Sequence, residues 1–243
     1  MSNLNKHILA GQKLVVIGGS SGIGFAVAQA AAAQGAALVI ASSQLARAEA
    51  AAAKLTGSEA FAVDVTDEAS LHRFFDILGP FDHLVITAGP GVASARLLDT
   101  DIASVAAAFD NKVFGALRTI KAALPHLRRD GSITLTSGLL SRRAGAGSLV
   151  KTAMNAAIEA SAKQLAKELA PVRVNVVSPG LTDTEAYAGM DEAARRAMFD
   201  KVGAGLPVGR VGKPEDVAAG YLLAISNGFV TGSVIDIEGG GLL

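Results

Sequence analysis

A glycine-rich loop at residues 18–24 constrains the fold of this chain more than any other segment. The loop, Gly-Gly-Ser-Ser-Gly-Ile-Gly, follows an apolar run at 14–17 and precedes an alanine-rich, helix-like segment at 25–33. Glycine permits positive φ and close approach of a ligand, and a loop between strand and helix directs free N–H groups and the helix dipole at one point. The pattern predicts a phosphate-binding turn, with an ordinary tight turn of an α/β protein as the alternative.

Short apolar runs alternate with helix-like segments along the chain. Several runs are nearly continuous in Val, Ile and Leu, as in strands covered on both faces. The alternation predicts an α/β fold with right-handed crossovers and a doubly wound parallel sheet of about seven strands. No repeat, linker or break in composition occurs, so a single domain is predicted over residues 1–243. Strands are predicted at 14–17, 37–41, 59–63, 83–87, 132–136, 173–177 and 234–237, and helices at 22–34, 45–55, 67–78, 99–128, 150–170 and 214–225.

The composition excludes several classes of function. The 22 basic and 22 acidic residues give a net charge of zero, which leaves no basic excess for nucleic acid. The absence of cysteine excludes disulfides, thiolate metal sites and a thiol nucleophile, and fits a reducing compartment. The four histidines show no metal-ligand spacing, so no metal site is predicted.

One uncharged stretch, residues 14–46, is long enough to cross a bilayer. It is interrupted at Gly22 and Gly35 and contains several glutamines, so a buried β-α-β unit explains it better than a membrane helix. The N-terminus lacks the pattern of a secretory signal. The sequence thus predicts a soluble, cytoplasmic protein without a membrane partner.

The segment at about 182–212 departs from the strand–helix rhythm. It contains no predicted strand and includes a charged, helix-like piece at 191–201. Long insertions near the carboxyl edge of a parallel sheet often cover a binding site. We therefore predict a substrate lid here, with a plain surface helix as the alternative.

Several short motifs occur in a fixed order along the chain. They are the 18–24 loop, Asp64-Val65, Ala88-Gly89, Asn111, Ser178-Pro179-Gly180, the stretch 209–218, and Thr231-Gly232 with Gly239-Gly240. Each is weak alone, but together they closely resemble the short-chain dehydrogenase/reductase family over nearly the whole chain. The resemblance implies a Rossmann-type domain that binds NAD(H) or NADP(H) and forms homotetramers or homodimers.

The resemblance also implies roles for residues along the cofactor. The loop would hold the pyrophosphate, the 64–65 pair would contact the adenine, the 88–89 pair would lie beside the ribose, and the 179–184 segment would hold the nicotinamide and its carboxamide. Thr87 stands where the family usually has asparagine. The implied cofactor-binding residues are Gly18, Ser20, Ser21, Gly22, Ile23, Gly24, Asp64, Val65, Ala88, Gly89, Pro179, Gly180, Leu181, and Thr182 or Thr184.

The chain departs from the family at the residues that carry its chemistry. The family uses a serine, a tyrosine and a lysine, and the register through the 164–169 segment places Gly138, Lys151 and Asn155 at these positions. Asn111 is retained. The chain thus resembles a divergent branch with Lys-x-x-x-Asn in place of Tyr-x-x-x-Lys.

Lys151 and Asn155 lie four residues apart and share one helix face. We predict that Lys151 faces and contacts the cofactor, donates a proton to the substrate oxygen and stabilises the developing alkoxide. Asn155 is predicted to bind the cofactor ribose through its amide. The family's lysine holds the ribose and lowers the pKa of the tyrosine. Because neutral Asn155 stands in place of that lysine, we expect no second cation beside Lys151. The alternative is a solvated stripe that continues to Glu159, Lys163 and Lys167.

Ser141 is the candidate for the hydroxyl that the family's serine supplies, because it lies one short turn beyond residue 138. Ser137 is adjacent to that position, but successive strand residues point to opposite faces. Arg142 and Arg143 follow; they either meet an anionic substrate or, as we favour, belong to a solvated loop.

The segment after the second strand decides between the two nicotinamide cofactors. NAD-binding relatives usually carry an acid there, and NADP-binding ones a basic residue for the 2′-phosphate. Here Ser42 and Ser43 are followed by Arg47, with no carboxylate between them. NADP(H) is therefore predicted over NAD(H).

These observations predict an NADP(H)-dependent oxidoreductase that acts on a small carbonyl compound or secondary alcohol. The alternative is a nucleotide-binding sensor or scaffold that has lost catalysis along with the serine and tyrosine. The expected substrate pocket is mostly small or apolar, which suits a modest hydrophobic molecule. Its predicted lining is Gly91, Val92, Leu140, Ser141, Val150, Tyr187 and Met190.

Overall fold

The computed structural model describes residues 7–89 and 91–243. These residues form a sheet of seven parallel strands in the order β3-β2-β1-β4-β5-β6-β7, which confirms the predicted doubly wound α/β fold. The strands are β1 (Lys13–Ile17), β2 (Ala37–Ser42), β3 (Glu59–Ala62), β4 (Phe81–Ile86), β5 (Leu127–Thr136), β6 (Arg173–Pro179) and β7 (Val234–Ile237).

Helices cover both faces of the sheet, which explains why the strands are apolar on both sides. One core packs α3, α5 and α6 against the sheet, and the other packs α1, α2 and α8 on the opposite face. The helices are α1 (Gly22–Ala33), α2 (Leu45–Ala52), α3 (Glu68–Leu78), α4 (Ile102–Phe109), α5 (Gly115–Ala123), α6 (Leu149–Glu168), α7 (Glu192–Ala204) and α8 (Pro214–Ser226).

The uncharged 14–46 stretch folds as most of β1, all of α1 and β2, and the start of α2. Val15, Val27 and Val39 within it are fully buried, so burial between the helix layers accounts for its lack of charge. Within residues 7–89 and 91–243, no helix has the length and apolar character needed to cross a bilayer.

The single helix predicted over 99–128 is wrong. The segment instead contains α4, a π-helical turn at Asp110–Phe114, and α5, and the chain then enters β5 at Leu127. The strand begins early because Leu127 pairs with Phe81 ahead of a register shift at Phe81/His83. A π turn inserts one residue into a helix and often marks a functional site, and here it contains Asn111 and Lys112.

The chain builds the sheet outward from β1 in two directions, because β2 and β3 lie on one side of it and β4 to β7 on the other. In sheets of this kind, ligands bind in the crevice outside the carboxyl ends of the strands at this switch point. The glycine loop leaves β1 at this crevice.

Candidate active site

A cavity of about 580 Å³ opens at the carboxyl ends of β1 to β5. It brings together most residues predicted to bind the cofactor, together with Asn111. The predicted residues that line it are Gly18, Ser20, Ser21, Gly22, Ile23, Gly24, Ser42, Ser43, Arg47, Asp64, Val65, Ala88, Gly89, Asn111 and Thr184. The cavity therefore runs from the end of β2 to the π turn.

The glycine loop is held close against the end of β4. A Cβ on Gly18, whose φ is +86°, would lie 2.7 Å from the Ala88 nitrogen, and one on Gly24 would lie 2.3 Å from the Gly18 oxygen. The Thr87 hydroxyl is 3.1 Å from that same oxygen, within donating distance. Only glycine fits these two positions, so the loop keeps its backbone open toward the cavity.

The N-terminus of α1 points its backbone donors at the cavity. The helix begins at Gly22, and Ser21 provides no side-chain cap. Instead, the Gly22 N–H donates to Oε2 of Glu185 over 2.8 Å. First-turn N–H groups bind anions well, so a carboxylate from the 182–212 segment occupies part of the predicted phosphate cradle.

The far end of the cavity has the groups expected around an adenosine. Arg47 is exposed and has no ion pair with a described residue. The hydroxyl oxygens of Ser20 and Ser42 lie 3.3 Å apart. Asp64 accepts hydrogen bonds from the hydroxyl and the N–H of Thr66, at 2.7 and 2.8 Å. Both bonds lower the pKa of the Asp64 carboxyl, and the bond from the hydroxyl has the larger effect. The carboxyl therefore stays ionised and accepts hydrogen bonds.

The predicted nicotinamide segment lies partly outside this cavity. Gly180 and Leu181 line a neighbouring space of about 180 Å³ with Arg210. Thr182 is buried and donates to the Gly180 carbonyl at 3.0 Å. Pro179 ends β6. The roles of these four residues remain predictions.

Asn155 occupies the space that a serine at 138 would need. It is buried, and its Nδ2 lies 3.4 Å from the Gly138 oxygen. A Cβ built on Gly138 would approach that Nδ2 to 2.9 Å. The absence of a side chain at 138 and the amide at 155 are therefore sterically linked.

The amide oxygen of Asn155 has a cationic partner that the sequence did not predict. Lys112 Nζ donates to Asn155 Oδ1 over 2.7 Å, and burial lowers the pKa of Lys112 to about 8. The expectation that Asn155 leaves the site with one cation fewer is wrong, because Lys112 brings a cation to it from the π turn.

Lys151 lies in the first turn of α6, half-buried, with Nζ 3.3 Å from the hydroxyl of Ser94. Neither Lys151 nor Asn155 is among the side chains that line the two largest cavities described here. The proton-donor role of Lys151 remains a prediction.

Glu159 organises a buried polar cluster behind the site. Its Oε1 accepts hydrogen bonds from the hydroxyls of Ser137 and Ser141 at 2.8 and 2.6 Å, and its Oε2 lies 3.4 Å from Nε of Arg142. Arg142 also pairs with Asp236. The solvated stripe through Glu159 is therefore wrong at that residue, and Arg142 is an ion-paired residue rather than part of a solvated loop.

Ser141 faces this cluster, since its hydroxyl contacts Glu159 and the Gly138 carbonyl. Its role as a substitute for the family's serine remains a prediction.

A second cavity, also of about 580 Å³, meets the first at Asn111, which lines both. Gly91, Val92 and Val150 line it, as predicted for the substrate pocket, beside Ala93, Ala95 and Ala108. Leu140, Ser141, Tyr187 and Met190 do not line it. Tyr187 packs instead on Phe199 of α7, with ring centroids 5.4 Å apart.

Sequence reasoning missed Lys112, Glu159 and Glu185. The contacts of Lys112 and Glu185 join residues 43 and 163 positions apart, which no local pattern encodes. One signal was available for Lys112, since it directly follows Asn111 and is a lone cation in the 111–117 segment.

Comparison with known proteins identifies the family. A family model described as enoyl-(acyl carrier protein) reductase matches residues 17–241. The chain is 36% identical to short-chain dehydrogenase/reductase ATR9 of Stachybotrys chlorohalonatus, over 97% of this chain and 98% of that protein. It is 31% identical to carbonyl reductase family member 4 of Danio rerio, over 93% and 96%.

Solved structures agree with these sequence matches. A small-chain dehydrogenase in complex with NADPH is 43% identical, covers 95% of this chain and 98% of its own, and superposes with a TM-score of 0.84. A short chain dehydrogenase/reductase family protein at 33% identity gives a TM-score of 0.86, with 96% and 98% covered. The chain belongs to the short-chain dehydrogenase/reductase family of oxidoreductases.

Proposed function

We propose that this protein is an NADP(H)-dependent oxidoreductase that interconverts the carbonyl group and the secondary alcohol of a small, largely apolar molecule. The observation that carries the proposal is the meeting of two cavities at Asn111, one polar and glycine-lined, the other lined mainly by small residues. The first suits a dinucleotide and the second suits a substrate.

The donor set of the first cavity fits a nicotinamide dinucleotide. The Gly18 and Gly24 positions leave no room for a side chain, and the start of α1 offers backbone N–H groups to a pyrophosphate. When bound, the reduced cofactor supplies the hydride. The protein's part is to hold it, exclude water and provide the proton that the substrate oxygen requires.

NADP(H) is preferred in this proposal because of the residues beyond β2. Arg47 is an exposed cation without an acidic partner among the described residues, and Ser42 and Ser43 add hydroxyl donors. These groups suit a 2′-phosphate. The NADPH complex of the small-chain dehydrogenase supports the same choice.

Lys151 is the proposed proton donor to the substrate oxygen. It lies in the first turn of α6, next to Val150, which lines the second cavity. The long side chain of Lys151 allows its ammonium to move from the Ser94 hydroxyl toward a bound substrate. The 182–212 segment is proposed as the lid, since Thr184, Glu185 and Ala186 already border the first cavity.

The proposed assembly is a homodimer or homotetramer in the cytoplasm. Large apolar side chains on and beside α4 and α5 support self-association, because Leu98, Ile102 and Phe114 are 98%, 67% and 49% exposed. Light scattering on the purified protein measures this mass directly.

The proposal is tested by NADPH and NADH oxidation against a panel of aldehydes, ketones and quinones. Turnover that prefers NADPH and falls at least about 100-fold in Lys151→Met supports it. The matched control is Lys163→Met, which replaces an exposed lysine about three turns further along the same helix. Tight NADPH binding without turnover on any member of the panel favours the sensor or scaffold instead.

A further inference from the structure

Lys112 is a half-buried cation beside the cofactor cavity, and the proposed chemistry assigns it no task. The π turn places it directly after Asn111, which lines both cavities. A Cβ built on Gly89 would lie 3.7 Å from Lys112 Cδ, so the lysine stem passes along a glycine that lines the dinucleotide cavity. Its ammonium ends at Asn155, 2.7 Å from Oδ1.

Within residues 7–89 and 91–243, no carboxylate forms an ion pair with Lys112. Asp110, on the same turn, pairs with Arg118 at 2.6 Å. Glu159, one turn further along α6, faces Arg142 and two serine hydroxyls. Among the described residues, the recorded acceptor for Lys112 is the neutral amide of Asn155.

Burial of an ammonium is unfavourable unless hydrogen bonds or an opposite charge compensate for the lost hydration. Desolvation disfavours the ammonium and lowers the pKa of Lys112 to about 8. An ammonium has three N–H donors, and the structure records a protein acceptor for one of them. The structure shows no acceptor among the described residues for the other two donors, and the stem that carries them lies against Gly89, which lines the dinucleotide cavity.

We propose that Lys112 is the cation that binds the nicotinamide ribose of the dinucleotide, with its ammonium held by Asn155 and donating to the vicinal hydroxyls of the sugar. The inference rests on the proposed function, because it requires a nicotinamide dinucleotide in the first cavity. In place of the direct contact with the ribose predicted from the sequence, Asn155 then acts as a positioning residue: its amide holds the ammonium of Lys112. It does so from the helix position where the family carries its own lysine.

A ribose with two adjacent hydroxyls fits the ammonium in number and type of acceptor. The lysine stem lies in van der Waals range of Gly89, whose backbone lines the dinucleotide cavity, so the ammonium is carried along the edge of that cavity. The competing explanation is that Lys112 is a structural lysine satisfied by Asn155 alone. The two explanations differ in which part of the ligand depends on Lys112.

The first experiment compares two ligands in Lys112→Met by isothermal titration calorimetry. NADPH contains the nicotinamide ribose, and adenosine 2′,5′-bisphosphate shares only its adenosine end. We expect the Kd of NADPH to rise about 10- to 100-fold, while the Kd of adenosine 2′,5′-bisphosphate changes less than about twofold. Lys121→Met, an exposed lysine of α5, is the matched control and leaves both constants unchanged.

Two results would overturn the inference. One is an unchanged NADPH affinity in Lys112→Met. The other is an equal loss for both ligands, which indicates a general structural effect. If NADH proves to be the tighter cofactor, NADH and ADP form the equivalent pair of ligands.

The second experiment needs no variant and covers the case in which Lys112→Met does not fold. NADPH binding to the unaltered protein is measured between about pH 7 and 10, where a lysine of lowered pKa loses its proton. We expect NADPH to bind more weakly as the ammonium is lost, while adenosine 2′,5′-bisphosphate keeps its affinity. Parallel pH profiles for the two ligands contradict the inference.

Binding and turnover separate this inference from the proposed function. If the protein binds NADPH through Lys112 but reduces no carbonyl compound, the proposed function is wrong and the role of Lys112 is supported. If the protein reduces carbonyl compounds while Lys112→Met binds NADPH with unchanged affinity, the proposed function is supported and the role of Lys112 is wrong.

Discussion

The backbone N–H of Gly22 donates to the Glu185 carboxylate over 2.8 Å, which joins the start of α1 to the segment that borders the cofactor cavity. Gly22 lies at the positive end of the helix dipole, where a phosphate of the dinucleotide is expected to bind. An anionic side chain and an anionic ligand thus compete for one donor.

We expect Glu185→Gln to bind NADPH more tightly, with a Kd lower by about threefold to tenfold, since the amide removes a competing charge from the phosphate cradle. Titration calorimetry at low and high salt measures the change, and the gain is largest at low salt. Glu192→Gln, an exposed acid at the start of α7, is the control for net charge. An unchanged or weaker affinity in Glu185→Gln contradicts the competition.

Arg47 is expected to set the preference between the two cofactors. Replacing Arg47 with Ala removes the exposed cation beyond β2, so the Kd of NADPH rises about fivefold to tenfold while that of NADH stays the same. The ratio of the two constants is the measurement, and NADH is the internal control. Equal weakening of both cofactors would show that Arg47 does not recognise the 2′-phosphate.

Gly138 and Asn155 are expected to be coupled in stability. A serine at 138 would bring a Cβ to 2.9 Å from Asn155 Nδ2, so Gly138→Ser lowers the free energy of unfolding by about 1–3 kcal/mol. Asn155→Ala opens the space beside residue 138. The double variant should therefore lose less free energy of unfolding than the two single variants together, by at least about 0.5 kcal/mol. Urea unfolding of the four proteins gives the coupling, and strict additivity contradicts the steric link.

His83 is expected to make folding stability depend on pH. It is 5% exposed, and its ring nitrogens lie 2.8 Å from Ser132 Oγ and 2.7 Å from Gln12 Oε1. Burial lowers the pKa of His83 from 6.5 to about 4, so the unfolded chain binds the proton first as pH falls. Stability from this group is fully present above about pH 6.5 and is lost toward pH 4, with a slope of up to about 1.4 kcal/mol per pH unit.

Urea unfolding of the unaltered protein and of His83→Gln over that pH range isolates the contribution of the histidine. The variant should show a flatter dependence on pH. The same slope in both proteins would assign the effect to other groups.

The fold was predictable because its signals are local. The strands are apolar on both faces, and Gly18 and Gly24 occupy positions where a Cβ would collide with backbone, so their spacing in the sequence reflects the loop's geometry. The break in the predicted 99–128 helix was not predictable in the same way. The segment is interrupted by a π turn, whose Asp110 pairs with Arg118 of α5, and ends where Leu127 of β5 pairs with Phe81.

The site was predictable at its phosphate end and incomplete at its nicotinamide end. Periodicity placed Lys151 and Asn155 on one helix face, but it does not report what approaches that face from elsewhere. Lys112 arrives from the π turn, and Glu159 turns inward because two serines and Arg142 offer it donors. Such contacts depend on how the helices pack, which a single sequence leaves open.

Hydride transfer from the reduced dinucleotide to a carbonyl carbon can be followed with an isotope. The protein is incubated with NADPH that carries deuterium at the transferable position, together with the panel of carbonyl compounds, and the products are analysed by mass spectrometry. We expect an alcohol with one deuterium on its carbinol carbon, at a yield sharply reduced in Lys151→Met. Recovery of every carbonyl compound unreduced, with NADPH bound and intact, would contradict it.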